Sequence, residues 1–188
     1  MTQQRSRSAA VEVLVDVIGW SGVPRWQPDW PYTERLLGLA LPGDFKDLLD
    51  AVPVGEYAGS VQVGPPTGEG EEGDLLAMFE GITDMLNDGS KHPYAAYPAL
   101  PGLIAWAEFD YPMAGQLFWL ADDGDPNMWP VIAWGADDSW EVYDVGAVPL
   151  LIALVRGKLP SAMVEPKPGA PAYRTLQDLP GSPSNTGR

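Results

Sequence analysis

Three β-prone runs joined by short connectors lie in the second half of this 188-residue chain and constrain its fold more than any other feature. The runs are residues 116–121, 129–134 and 140–144, and the connectors read DDGDPN and GADDS. Gly, Pro, Asn and Asp supply the dihedral angles and local hydrogen bonds that tight turns require. Strands joined by such short turns pair antiparallel to each other. The region therefore predicts an antiparallel β-sheet meander.

Two further β-prone runs, 57–63 and 103–109, precede the meander. Apolar residues at helical spacing predict five helices, three before these strands, one between them and one after the meander. The predicted helices lie within residues 9–18, 31–37, 42–52, 74–86 and 146–156. Helices that are segregated from strands indicate an α+β fold rather than an α/β fold.

Length predicts a single folded domain. Residues 1–21 are predicted to form an amphipathic helix, and residues 22–159 an α+β domain with N-terminal helices and a closing C-terminal helix. Residues 160–188 hold six prolines and show no helical or strand periodicity. We expect this segment to be a mostly disordered or extended tail.

Five of the eight tryptophans fall in the strand region. Alternation places Trp129, Val131 and Ala133 on one face of the sheet, and Ile132 with Trp134 on the other. Both faces are apolar, so we expect one to be substantially covered and the other partly covered. Most of these tryptophans are predicted to be core residues, and one or two to be exposed binding anchors.

The chain holds 26 acidic and 11 basic side chains, a net charge of −15. Most of the acidity lies in residues 11–157, which hold 24 acidic and 5 basic side chains. Such a charge argues against nucleic-acid binding and against an anionic membrane surface, because both kinds of binding depend on Lys and Arg. The absence of cysteine excludes disulfides, a catalytic thiol and Cys-ligated metals, and a single histidine, His92, removes most His-dependent metal sites. We expect no metal and no cofactor.

No apolar run approaches the roughly 20 residues that span a bilayer. Arg5 and Arg7 before an apolar stretch imitate a signal peptide, but Glu12 and Asp16 interrupt that stretch and no cleavage site follows. The sequence therefore predicts a soluble, cytoplasmic protein.

Catalytic motifs of the G-x-S-x-G, HExxH, P-loop and GxGxxG types are absent. Glu108 and Asp110, beside aromatic residues, are the best candidates for general acid and base, although simple solvent exposure is the favoured interpretation. A calcium loop starting at Asp123 fails because Met128 and Trp134 stand where an EF-hand needs Gly and Glu. We expect neither enzymatic activity nor a metal site.

The segment LLGLALPGDFKDLLDAVPVGEYAG, residues 36–59, resembles the signature of the SUKH superfamily. That superfamily includes yeast cell-wall-assembly regulators and many bacterial immunity proteins. The resemblance spans about residues 22–159, and it includes the hairpin-rich sheet and the last helix. Departures occur at residues 54–57, where the family often has Asn-Gly-Gly, and at Pro149 and Leu150, where it often has an aromatic residue. The matching positions are Glu34, Leu37, Gly38, Leu41, Pro42, Asp44, Phe45 and Leu49.

The resemblance implies a bacterial immunity-type protein without catalytic residues. Acidic clusters either keep a protein soluble or recognise a basic partner by charge. We therefore expect stoichiometric neutralisation of a cognate toxin, basic and nuclease-like; the alternative is an intracellular adaptor or regulator with a non-toxin partner. The residues predicted to contact the partner are Tyr57, Asp122, Asp123, Asp125, Asp137, Asp138 and Trp140.

Overall fold

The computed structural model describes residues 7–23, 28–64, 75–86 and 92–176. The helices are α1 (Ala9–Ile18), α2 (Trp30–Leu37), α3 (Gly43–Ala51), α4 (Leu75–Leu86) and α5 (Ala147–Val155). The strands are β1 (Gly55–Tyr57), β2 (Val61–Val63), β3 (Ala95–Ala96), β4 (Gly102–Phe109), β5 (Gly115–Ala121), β6 (Val131–Gly135), β7 (Trp140–Tyr143) and β8 (Tyr173–Thr175). A short 3-10 helix, Pro126–Met128, lies between β5 and β6.

One eight-stranded sheet organises the fold, in the order β7-β6-β5-β4-β2-β1-β8, with β3 paired to the start of β4. All of its pairs are antiparallel except β3 with β4. Strands β4 to β7 are neighbours in chain order, so the predicted meander is confirmed. The α+β class is confirmed as well.

Helix ends follow the capping signals in the sequence. The Ser8 hydroxyl accepts a hydrogen bond from the Val11 amide at 3.3 Å, and Gly19 ends α1 in the left-handed conformation. Asp29 caps α2, which ends at Gly38. The sequence offers Asp74 as the cap of α4, but this residue lies outside the described residues.

The run 57–63 does not form the single strand that its composition predicts. Ala58 and Gly59 both have positive φ, at 52° and 69°, and the Ser60 amide donates to the Tyr57 carbonyl at 3.1 Å. This tight turn makes β1 and β2 a hairpin. The left-handed conformation favours glycine at position 59, and a Cβ there would lie 2.3 Å from the Cβ of Ala170.

The main core lies on the sheet face that α1, α3 and α5 cover. Trp106 and Trp119 are fully buried there, with ring centroids 5.7 Å apart, and the Phe45 ring meets Trp119 edge-on at 4.8 Å. The second face holds a smaller cluster in which Ile82 of α4 packs with Phe118. Trp129, Val131 and Ala133 belong to the main core, whereas Ile132 and Trp134 belong to the second cluster, as alternation predicts.

A β-bulge in β4 changes which side chains reach the second face. The pairing with β5 shifts between Ala105 and Ala107, so Trp106 is an additional residue in β4. Trp106 and Ala107 both point into the main core. The next residue, Glu108, consequently lies on the second face, opposite Gln116 of β5.

Within the tail expected to be disordered or extended, residues 160–176 pack against the domain. Met163 and Val164 are buried in the main core, and β8 pairs with β1 at the sheet edge. The Tyr173 hydroxyl donates to the Pro53 carbonyl at 2.6 Å, and Arg174 pairs with Glu56. Apolar residues without local periodicity thus find partners far away in the sequence. Residues 177–188 lie outside the described residues.

Candidate functional site

The acidic residues of the two predicted turns lie at opposite ends of the meander. Asp122, Asp123 and Asp125 follow β5, whereas Asp137 and Asp138 follow β6. Successive turns of an antiparallel meander alternate between its two ends. The structure therefore does not bring the two groups together into one surface.

The first group belongs to a segment that we call the acidic loop, residues 122–128. Asp122 Oδ1 accepts hydrogen bonds from the Gly124 amide at 2.8 Å and from the Trp129 indole at 3.2 Å. Asp125 Oδ1 accepts from the Asn127 amide at 3.0 Å and caps the 3-10 helix. These two carboxylates hold the loop in one conformation.

The acidic loop is also joined to α3. Asn127 Oδ1 accepts a hydrogen bond from the Gly43 amide, the first residue of α3, at 2.7 Å. That amide is one of the helix-terminal N–H groups that have no partner inside their own helix. The loop is therefore attached to the helical layer as well as to the sheet.

Two side chains of the acidic loop point into solvent. Asp123 is exposed and makes no hydrogen bond to another described side chain or backbone group. Met128 is 78% exposed. Methionine is enriched at protein interfaces relative to the rest of a protein surface. An exposed carboxylate and an exposed methionine on a fixed loop are suited to contact a protein.

Asp137 and Asp138 accept hydrogen bonds within or next to their own turn, at the other end of the meander. Asp137 accepts hydrogen bonds from the Ser139 hydroxyl and amide, and these bonds lower the pKa of the Asp137 carboxyl. Asp138 has a positive φ of 64°, which Asp tolerates better than most residues. Its Oδ1 accepts from the Trp134 indole at 2.9 Å.

Tyr57 and Trp140, which the sequence predicts to contact the partner, both pack against other aromatic rings. Tyr57 is fully buried, packs 5.1 Å from the Tyr173 ring and has a pKa raised by burial. It does not reach the surface, because β8 and the tail cover this end of the sheet. Trp140 is half-buried and stacks on Trp134, with ring centroids 5.2 Å apart and planes 9° apart.

Sequence reasoning missed a cleft of about 750 Å³ on the second face of the sheet. Its wall is formed by Ile82 and Met85 of α4. Its floor is formed by Glu108, Gln116 and Trp134, which are cross-strand neighbours on β4, β5 and β6. The turn that follows β6 and the side chain of His92 complete it.

His92 lies against aromatic rings rather than in an open surface loop. Its side chain is 8% exposed, and its ring centroid lies 5.3 Å from that of Trp134. Its Nδ1 lies 3.9 Å from Asp138 Oδ1. The side chain of His92 is therefore largely buried, although the sequence around it is typical of a polar surface loop.

The two candidate catalytic carboxylates have different surroundings. Glu108 is exposed within the cleft, where its Oε1 accepts from Gln116 Nε2 at 3.2 Å. Asp110 does not line the cleft, and its Oδ2 lies 4.0 Å from Lys167 Nζ. Over the described ranges, no group of three or more His, Cys, Asp or Glu side chains is placed to hold a metal ion.

No protein-family model, curated protein or solved structure matches this chain. The resemblance to the SUKH superfamily therefore stays a prediction. In the described part of the chain, every helix is too short or too polar to cross a membrane.

Proposed function

We propose that this chain is a protein-binding domain that recognises a basic partner through its acidic loop. The observation that supports this proposal is the fixed presentation of Asp123 and Met128. The Asp122 and Asp125 carboxylates are occupied within the loop, and Asn127 attaches the loop to α3. A loop that is already ordered loses less conformational entropy when it binds.

The charge of the chain favours a basic partner. The net charge is −15, and the end of the meander that holds the acidic loop also exposes Asp144. Charge complementarity between two proteins raises association rate constants from roughly 10⁵–10⁶ to 10⁸–10⁹ M⁻¹s⁻¹ at low salt. A basic protein is therefore the partner class that this surface would capture fastest.

The proposed partner is a toxin domain, such as a nuclease, which the chain neutralises by stoichiometric binding. A nuclease needs Lys and Arg to hold phosphates, so carboxylates of the acidic loop can occupy the same positions. The toxin itself is suggested by the SUKH resemblance, whereas the acidic loop supports only a basic protein partner. A non-toxin partner, bound in the manner of an adaptor, would use the same loop.

Growth rescue distinguishes these two partner classes. Cells would express a basic protein whose gene lies next to the gene of this chain. They would also express either the wild-type chain, the Asp123→Lys variant or the control variant Asp16→Lys. Asp16 lies on α1 and undergoes the same change of charge on an exposed side chain. We expect the wild type and Asp16→Lys to restore growth and Asp123→Lys to restore it poorly.

Two results would contradict parts of the proposal. A neighbouring basic protein that binds the chain but is harmless to cells would exclude the toxin and support the adaptor. Equal rescue by Asp123→Lys and Asp16→Lys would exclude the acidic loop as the binding surface.

A further inference from the structure

We propose that the cleft beside α4 binds a small organic cation with an amidinium, guanidinium or ammonium head and an apolar body. The cleft lies at the end of the meander opposite the acidic loop, because it includes the turns after β4 and β6. The proposal therefore does not rest on the proposed function.

The size and shape of the cleft suit a small molecule. Its volume of about 750 Å³ falls within the range of roughly 300–1,000 Å³ that ligand pockets occupy. Glu108, Gln116 and Trp134 are opposite one another in the strand register. Directly opposed Cβ atoms on neighbouring strands are about 4.5–5.5 Å apart, so one ligand can touch all three side chains.

The charge of the cleft favours a cation. Glu108 and Asp138 both line it, and none of its described lining residues is Lys or Arg. A carboxylate and a planar amidinium or guanidinium form hydrogen bonds that are stronger than those between neutral groups. An anionic ligand would meet two carboxylates of its own sign.

Gln116 provides an acceptor that the described residues leave unused. Its Nε2 donates to Glu108, which fixes the amide orientation. Its Oε1 is buried and has no hydrogen-bond partner in the described part of the chain. Buried polar atoms usually have a partner, and one without a partner reduces stability. A small rotation of the Gln116 side chain would uncover this oxygen, and an N–H group of a bound cation would then supply the missing donor beside Glu108.

The remaining surface of the cleft suits an apolar body. Ile82 and Met85 line one side, and Met85 is 52% exposed. Trp134 is an aromatic lining residue, and the ring system of tryptophan attracts cations more strongly than those of the other aromatic residues. A ligand with both an apolar ring and a cationic head therefore matches the cleft better than a bare ammonium ion does.

Benzamidine and its neutral counterpart benzamide provide a matched pair of probes. Binding would be followed through the indole N–H resonance of Trp134, assigned with Trp134→Phe. We expect benzamidine to shift this resonance with an affinity at least about 10-fold higher than that of benzamide, a difference of about 1.4 kcal/mol. Equal affinities, or no shift with about 5 mM of either probe, would overturn the proposal.

Two substitutions show whether binding depends on the cleft or on overall charge. Glu108→Gln should weaken benzamidine binding about 10-fold, because it removes the charge that strengthens the hydrogen bond. Asp123→Asn on the acidic loop removes the same charge elsewhere and should leave the affinity unchanged. Equal losses in both variants would show a nonspecific attraction to an acidic protein and would overturn the proposal.

Discussion

Ser161 connects the tail to the sheet through its hydroxyl, which has four hydrogen-bonding groups within reach. Its Oγ lies 2.7 Å from the Tyr143 hydroxyl and 2.7 Å from Glu141 Oε2. It also accepts from the amides of Met163 and Val164, at 3.0 and 2.9 Å. One hydroxyl therefore stabilises the start of a segment that the sequence predicts to be disordered or extended.

Replacing Ser161 with alanine leaves two backbone amides and Glu141 without this partner. We expect Ser161→Ala to lower the free energy of unfolding by about 2 kcal/mol, measured by urea denaturation. Tyr143→Phe removes a hydroxyl that also bonds Glu141 Oε2 at 2.8 Å, but it leaves the two backbone amides bonded to Ser161, so it should cost less than Ser161→Ala. An unchanged urea midpoint for Ser161→Ala would show that the tail does not depend on this hydroxyl.

Asp44, in the first turn of α3, has a pKa raised by burial. The hydrogen bond from the Phe45 backbone opposes this shift, and the charge of Asp47 adds to it. A carboxyl whose pKa is higher in the folded state stabilises the fold at low pH, and this contribution is lost as pH rises through the folded pKa. The effect of burial on this pKa is thus larger than the stabilisation of a carboxylate by the helix N-terminus.

The neutral variant Asp44→Asn should therefore gain stability relative to wild type as pH rises from about 3 to about 7. The gain begins near 3.8, the ordinary pKa of an aspartate carboxyl, and is complete above the raised folded pKa. Urea denaturation at several pH values measures the difference. Asp123→Asn removes an exposed charge, and an equal pH trend in that control would show that burial of Asp44 is not the cause.

The sequence predicts where the aspartates of the connectors lie but not what their carboxylates do. Turn formation and partner binding favour the same residue type, because Asp also bonds to backbone amides two residues ahead. Asp122, Asp125 and Asp137 make such bonds. Asp123 makes none within its loop, and only the three-dimensional structure distinguishes it from the others.

At the scale of elements, β8 completes one edge of the sheet. It pairs with β1, and Tyr173 covers Tyr57 with ring centroids 5.1 Å apart. Deleting residues 170–188 would expose the backbone of β1 and the Tyr57 side chain. Unpaired edge strands of this kind promote association between chains.

We expect that deletion to lower the melting temperature by several degrees, about 4 °C for each kcal/mol lost, and to produce oligomers in size-exclusion chromatography. Deleting only residues 177–188 is the matched control, since it leaves β8 and its described contacts intact. If both truncated chains have the same melting temperature and the same elution volume, β8 does not stabilise the sheet edge.

Strands β4 to β7 could be predicted because alternation and turn residues are local signals. The β1–β2 hairpin was missed because its turn begins at Ala58, a residue type that rarely has positive φ. β8 was missed because its partner Glu56 lies 118 residues before Arg174. Pairing over such a distance leaves no period in the local sequence.

The position of Glu108 in the cleft depends on a β-bulge in β4. Strict alternation along β4 places Glu108 on the same face as Trp106, toward the main core. The bulge at Trp106 reverses this and directs Glu108 to the second face, beside Gln116. A bulge is not visible in the hydrophobic pattern, so the acidic floor of the cleft could not be predicted.

At the scale of the whole molecule, the sequence predicts the α+β class and the acidic charge but not how the charge is divided. The meander separates the acidic loop from the cleft, so the two proposed sites lie at opposite ends of one sheet. Changes at sites that share no partners generally combine additively. We expect Asp123→Lys to leave benzamidine binding unchanged and Glu108→Gln to leave partner binding unchanged, as measured by titration of each variant.

The most direct test of recognition through the acidic loop uses a basic protein whose gene lies next to the gene of this chain. Its association rate constant would be measured by stopped flow at several salt concentrations. The account predicts that the wild-type rate constant falls steeply with salt, because screening weakens charge attraction. At low salt, Asp123→Lys should associate at least about 5-fold more slowly than wild type, whereas Asp16→Lys should stay close to wild type. A rate constant that is independent of salt and equal in all three proteins would contradict recognition of a basic partner by the acidic loop.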